Sequence, residues 1–122
     1  MKRILMVEDT VHLSEEISDI LRLEGYEVTI ADNGQRALEL LPESRPDLII
    51  TDLLMPKMDG FQLIQHIRSM ESFKSIPIII LSAKTSTVDK IRGKEAGANA
   101  FMGKPCKGYE LVASINALLK IV

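Results

Sequence analysis

The sequence predicts one α/β domain, a parallel sheet wound with helices on both faces. Three observations carry that prediction. Short apolar runs rich in Ile, Leu and Val recur five times without strict alternation, which is how strands buried on both faces read. Segments with helical periodicity separate the runs, and such alternation calls for parallel strands joined by helical crossovers. The length, 122 residues, allows one domain with a real core and is short for two.

The expected strands are Ile4–Val7, Val28–Ala31, Leu48–Thr51, Ile78–Leu81 and Ala100–Met102, the last resting on only three residues. Between the first two, Leu13, Ile17, Ile20 and Leu21 form one helical face that ends before Gly25, a residue suited to closing a helix. Asn33 is placed to cap Gln35–Leu41, and Pro42 is expected to stop that helix. Asp59 precedes Phe61–Met70 with Gln62 three residues on, the pattern of a capping box, and Phe61, Ile64, Ile67 and Met70 share a face. Ser86 and Asp89 open Thr87–Ala96, which Gly97 closes. Leu111, Val112, Ile115, Leu118, Leu119 and Val122 make a wide apolar stripe on the last helix.

Composition narrows the function. With 46% hydrophobic and 26% charged residues the chain reads as an ordinary soluble globular protein. A formal net charge of -2 offers no electrostatic case for nucleic acid or an anionic membrane. The single cysteine, Cys106, has no partner for an internal disulfide, which suits a reducing compartment. The apolar run after Lys2-Arg3 is too short for a signal-peptide core, and nothing approaches a membrane span. A cytoplasmic location is expected.

In an open parallel sheet the ligand crevice lies beyond the carboxyl ends of the strands. Glu8 and Asp9 end the first strand, Asp52 the third, Ser82 the fourth and Lys104-Pro105 the fifth. Each has a plainer reading alone: Asp9 or Thr10 as a helix cap, Asp52 as a turn residue before Met55-Pro56, Ser82 and Lys104 as incidental. Five such residues at one rim weigh against those readings. Like charges 4 Å apart repel by about 4 kcal/mol at an effective dielectric near 20. Three carboxylates together are therefore untenable without a cation or a proton. Oxygen ligands without His or Cys suit a hard ion, Mg²⁺ above all, and Lys104 offsets only part of the charge. A carboxylate so placed can act as a nucleophile toward phosphorus, and metal and lysine supply the neutralisation that phosphoryl transfer needs. Ser82 can donate a hydrogen bond to the added phosphoryl oxygens.

The chain resembles the receiver domain of two-component response regulators, in particular the chemotaxis-regulator type, over its whole length. The matching pieces are Ile4-Leu-Met-Val-Glu-Asp9, Pro46-Asp-Leu-Ile-Ile-Thr-Asp-Leu-Leu-Met-Pro56 with Met58-Asp-Gly60, Pro77-Ile-Ile-Ile-Leu-Ser-Ala83 and Gly97-Ala-Asn-Ala-Phe-Met-Gly-Lys-Pro105. The resemblance implies a flavodoxin-like sheet of order 2-1-3-4-5 with residues 1–122 as one receiver domain. It implies that Asp52 accepts a phosphoryl group from the phosphohistidine of a histidine kinase or phosphotransfer protein. Asp9, Asp52 and the backbone carbonyl of Leu54 would bind Mg²⁺ directly, and Glu8 mostly through water. Ser82 and Phe101 would switch with phosphorylation, Lys104 would pair with the phosphate, and Lys104-Pro105 would be a cis peptide. The helix-four, strand-five, helix-five face would carry the output. Such a domain catalyses its own phosphorylation and slow hydrolysis but is not otherwise an enzyme, and it would be a monomer or a weak dimer when phosphorylated.

This chain departs from the commonest pattern in places. Glu8 replaces the usual aspartate, and Cys106, expected as a small buried hydrophobe, stands where an aromatic or apolar residue often follows the proline. Leu54 is apolar beside the acceptor, where an attacking water would have to be oriented, so it is expected to prolong the phosphorylated state. Lys84 either reaches the same space or is solvated. His12 and His66 lack metal-ligand spacing and read as surface residues, and the methionines as core filling.

Three other readings compete. A phosphohydrolase with an aspartate nucleophile needs an acid two residues on, where Leu54 stands. A flavin carrier needs a phosphate cradle in the first loop, which Glu8-Asp9 would repel. A degenerate scaffold would not need the intact acids with Ser82 and Lys104. The starting methionine favours a stand-alone regulator or phosphorelay shuttle over an excised domain.

Overall fold

A computed structural model describes residues 2–120. Five strands, β1 (Arg3–Val7), β2 (Glu27–Ala31), β3 (Leu48–Thr51), β4 (Ile78–Ser82) and β5 (Ala100–Gly103), alternate with helices α1 (Val11–Leu23), α2 (Gly34–Ser44), α3 (Gly60–Ser69), α4 (Thr87–Ala96) and α5 (Gly108–Leu119). The strands form one parallel sheet in the order β2-β1-β3-β4-β5. The expected elements are all present, most of the strands extended by one residue. Val122, expected in the last helix's stripe, lies outside the described residues.

The period of two along each strand divides the core into two layers. Leu5, Val7, Ile49, Ile78 and Ile80 face α2 and α3, where Ala37, Leu41, Leu63, Ile64 and Ile67 meet them. Ile4, Met6, Leu48, Ile50, Ile79 and Leu81 face α1 and α5, against Ile17, Leu21, Leu111 and Ile115. Each fully buried Ile or Leu is worth roughly 1.5–3 kcal/mol. The layers therefore fix which face every residue beyond a strand end can reach.

Local chemistry ends the helices much as their sequences suggest. Gly25, at φ +94°, lets α1 close with paired bonds, Gly25 N–H to the Arg22 carbonyl at 3.0 Å and Tyr26 N–H to that of Leu21 at 3.1 Å. The Asn33 side chain accepts from Arg36 N–H, and Asp59 and Gln62 form a reciprocal capping box. Ser86 caps α4, and Gly97, at φ +117°, ends it.

Two local expectations are corrected. Pro42 lies inside α2 and does not stop it. It sits in the last turn, where it forfeits only the one bond its N–H would have given the Leu38 carbonyl, and the helix runs on until Arg45 turns into the left-handed region at φ 40°. Thr10 holds the capping position of α1 but its side chain caps nothing; its N–H donates instead to Glu8 Oε2 at 3.0 Å.

Candidate functional site

Strand register assembles the site. Val7 pairs with Ala31 and with Thr51, and Ser82 with Gly103. The ladder then runs one step further: Glu8 N–H to the Ala31 carbonyl at 3.0 Å, Asp52 N–H to that of Val7 at 3.2 Å, Lys104 N–H to that of Ser82 at 2.9 Å. Glu8, Asp52 and Lys104 are thus the first residues beyond β1, β3 and β5, on one rim. A register slip of one residue would turn them to the other face.

Their side chains meet there. One carboxylate oxygen each from Glu8, Asp9 and Asp52 lies within 4.8 Å of the others. Glu8 and Asp52 are largely enclosed, at 4% and 8% exposure, while Asp9 is open to solvent. Lys104 Nζ donates to Asp52 Oδ2 at 2.7 Å and to Glu8 Oε1. Burial works against its charge, but the hydrogen bonds to Asp52 and Glu8 and their charges outweigh that and hold its pKa above the ordinary lysine value. Asp52 Oδ1 accepts from Leu53 N–H at 2.6 Å and, at 3.4 Å, from Leu54 N–H.

The remaining residues sit around this centre. Ser82 is wholly buried at the end of β4, and its Oγ accepts from Lys84 N–H at 3.1 Å, which leaves its own proton free to donate. The Lys84 side chain is exposed. Phe101 pairs with Ile80 across β4 and β5 and is half-buried under α4 beside Gly93. The Lys104–Pro105 peptide bond is cis. Leu54 is 57% exposed at the mouth. Cys106 is half-buried rather than buried, packed at the edge of the α1–α5 layer. His12 and His66 are exposed on α1 and α3. Met6, Met55, Met58, Met70 and Met102 all pack into the two core layers.

Two supporting residues escaped the sequence reading. Thr51, fully buried, donates from Oγ1 to the Asp52 carbonyl at 2.9 Å and steadies the turn behind it. Gly60 presses against the same turn, its N–H bonded to the Leu53 carbonyl at 2.9 Å. A threonine closing an apolar run and a glycine at a helix start both have ordinary roles, so neither signals support for a carboxylate.

The donor set suits a hard divalent cation: three carboxylates converge, and among the described residues no His or Cys joins them. The helices of the described residues include none long and apolar enough to cross a membrane.

A family model for the response regulator receiver domain matches residues 4–116. The DNA-binding response regulator MtrA of Mycobacterium tuberculosis is 40% identical over 119 residues, covering 98% of this chain and 51% of that protein. A transcriptional regulatory protein, the CpxR homolog of Haemophilus influenzae, is 37% identical over 120 residues, with 98% and 51% covered. The chain spans about half the length of the curated relatives it matches. Among solved structures, the chemotaxis protein CheY4 of Vibrio cholerae superposes with a TM-score of 0.92 at 33% identity, over 97% of this chain and 98% of that one. The receiver domain of the sensor histidine kinase PA1611 of Pseudomonas aeruginosa, with a magnesium ion coordinated in its active-site cleft, gives 0.90 at 32% identity over 98% of each. With its register, its acid cluster and these likenesses in agreement, the chain belongs to the receiver domain family of two-component response regulators.

Proposed function

We propose that residues 1–122 act as one phospho-accepting unit with Asp52 as the acceptor. A carboxylate oxygen of Asp52 attacks the phosphorus of a phosphohistidine on a partner kinase or phosphotransfer protein. The new P–O bond forms as the P–N bond breaks, and the imidazole leaves with the electron pair. Asp9, Asp52 and the Leu54 carbonyl are the residues that would hold Mg²⁺, with Glu8 acting through water. The ion, when bound, supplies positive charge to the transferring phosphoryl oxygens.

The observation that carries this reading is the convergence of Glu8, Asp9 and Asp52 within 4.8 Å, with the Lys104 ammonium already on Asp52 Oδ2. Lys104 is placed to follow the negative charge from the carboxylate to an added phosphoryl group. Ser82, with its hydroxyl proton uncommitted, donates to a phosphoryl oxygen, and Phe101 repacks under α4 as Ser82 moves. The α4–β5–α5 face then presents a changed surface to an output partner. In this reading the chain's chemistry is confined to its own phosphorylation and slow hydrolysis, and it works in the cytoplasm.

The test is incubation with a small acyl-phosphate donor and Mg²⁺, read by intact mass. Wild type gains one phosphoryl group and Asp52→Asn gains none. Equal modification of both proteins, or of neither, would overturn the assignment.

A further inference from the structure

The two enclosed carboxylates have no idle oxygen. Glu8 Oε2 takes the Thr10 N–H and Oε1 the Lys104 ammonium; Asp52 Oδ1 takes the Leu53 N–H and Oδ2 the same ammonium. A divalent cation entering among these oxygens meets a positive charge already seated on two of the three acids. An ammonium and a divalent ion repel, so each weakens the hold of the other.

The length of the side chain at position 8 decides how firmly Lys104 is seated. Glu8 spans from the Thr10 N–H to Lys104 with one oxygen for each. An aspartate on the same backbone is shorter by about 1.5 Å, one carbon–carbon bond. It cannot keep both contacts, and Lys104 would be left to Asp52 alone.

We infer that Glu8 is a positioning residue that parks Lys104 in the cation's place, so that this glutamate sets a lower affinity for divalent metal in the unphosphorylated protein than an aspartate would. The inference rests on reading the acid cluster as a cation site, and its signature is coupling. The effect of shortening Glu8 should depend on Lys104, because it acts through Lys104.

The experiment is a double-mutant cycle in metal affinity, with Mn²⁺ alone as the probe and free ion counted by electron paramagnetic resonance at fixed ionic strength. Wild type, Glu8→Asp, Lys104→Gln and the double variant are compared, with folding checked by thermal melting. Lys84→Gln, which removes an exposed charge nearby without touching either acid, is the control. Lys104→Gln should tighten binding about tenfold, or 1.4 kcal/mol, and Glu8→Asp several-fold. In the Lys104→Gln background the gain from Glu8→Asp should vanish. A Glu8→Asp protein that binds no more tightly than wild type, or gains equally in both backgrounds, overturns the proposal while leaving the cation site intact. An absence of Mn²⁺ binding in all variants overturns both.

Discussion

Gly60 lies so close behind Asp52 that a Cβ at position 60 would stand 2.3 Å from the Asp52 carbonyl oxygen and 2.9 Å from the Leu53 Cα. Both neighbours are backbone, so neither can swing aside. The first turn of α3 therefore doubles as the floor of the Asp52–Leu53 turn.

Gly60→Ala should accordingly destabilise the protein and displace Asp52 together. Overpacking of this kind costs about 1–3 kcal/mol. Urea unfolding should report that loss, and the rate of phosphorylation by a small donor should fall even where the variant is fully folded. A folded Gly60→Ala protein phosphorylated at the wild-type rate would refute the coupling.

Arg68 offers the contrasting case, a residue that holds the opposite end of the sheet. Its guanidinium donates to the carbonyls of Gly97 at 2.6 Å and Ile76 at 2.6 Å, to that of Lys74 at 3.1 Å, and to Asn99 Oδ1 at 2.9 Å. One side chain thus ties the end of α3 to the end of α4 and to the starts of β4 and β5. Arg68→Met leaves the three carbonyls without this donor, at about 1–3 kcal/mol for each that stays buried, while Asn99 Oδ1 keeps the Ile78 N–H at 2.8 Å. The midpoint of urea unfolding should drop clearly, while the folded protein should still take up the phosphoryl group proposed for Asp52. An unchanged midpoint would show that water replaces the guanidinium without penalty.

Cys106 should respond to pH in a defined direction. Burial pushes its thiol above the usual cysteine range; the nearby Glu110 charge adds to that, and a backbone hydrogen bond partly opposes it. The thiolate is the reactive form, so at mildly alkaline pH the folded protein holds less of it than the unfolded chain. Iodoacetamide should alkylate native Cys106 more slowly than urea-unfolded protein, with a rate midpoint at higher pH. Glu110→Gln should move that midpoint down. Because the folded-state value is raised, thiol ionisation costs stability only as pH rises above the unfolded value. A native midpoint at or below the unfolded one would contradict the assignment.

How far the sequence could be read follows from what each signal depends on. β3 and β4, Leu48–Thr51 and Ile78–Ser82, are wholly buried, so their composition alone marks them and places Asp52 and Ser82 at their ends. β5 is half-buried throughout and only four residues long, and its boundary was correspondingly hard to place. Pro42 misled because a proline forfeits its own N–H bond without ending the helix there, and the last turn is still closed by Arg45 N–H on the Leu41 carbonyl at 3.0 Å. Burial and rim position, however, cannot show that both Glu8 oxygens are engaged, or that Arg68 bonds to four separate acceptors. Those contacts join residues as much as 96 positions apart and arise only once the register is set.

Leu54 bears on how long a phosphorylated Asp52 would last. Its side chain is 57% exposed beside Asp52, with its N–H 3.4 Å from Asp52 Oδ1. Hydrolysis needs a water aligned opposite the leaving carboxylate oxygen, and an isobutyl group can neither donate to such a water nor accept from it. An asparagine at this position could do both, lowering the barrier without altering the acids or Lys104. Leu54→Asn should shorten the half-life of the phosphorylated protein roughly three- to tenfold, about 0.7–1.4 kcal/mol of barrier, with the rate of phosphorylation little changed. Loss of the phosphoryl mass over time in Mg²⁺ buffer gives the half-life directly. Leu54→Val, apolar and also unable to orient water, should stay near wild type. If Leu54→Asn decays no faster than wild type, the leucine does not protect the acyl phosphate.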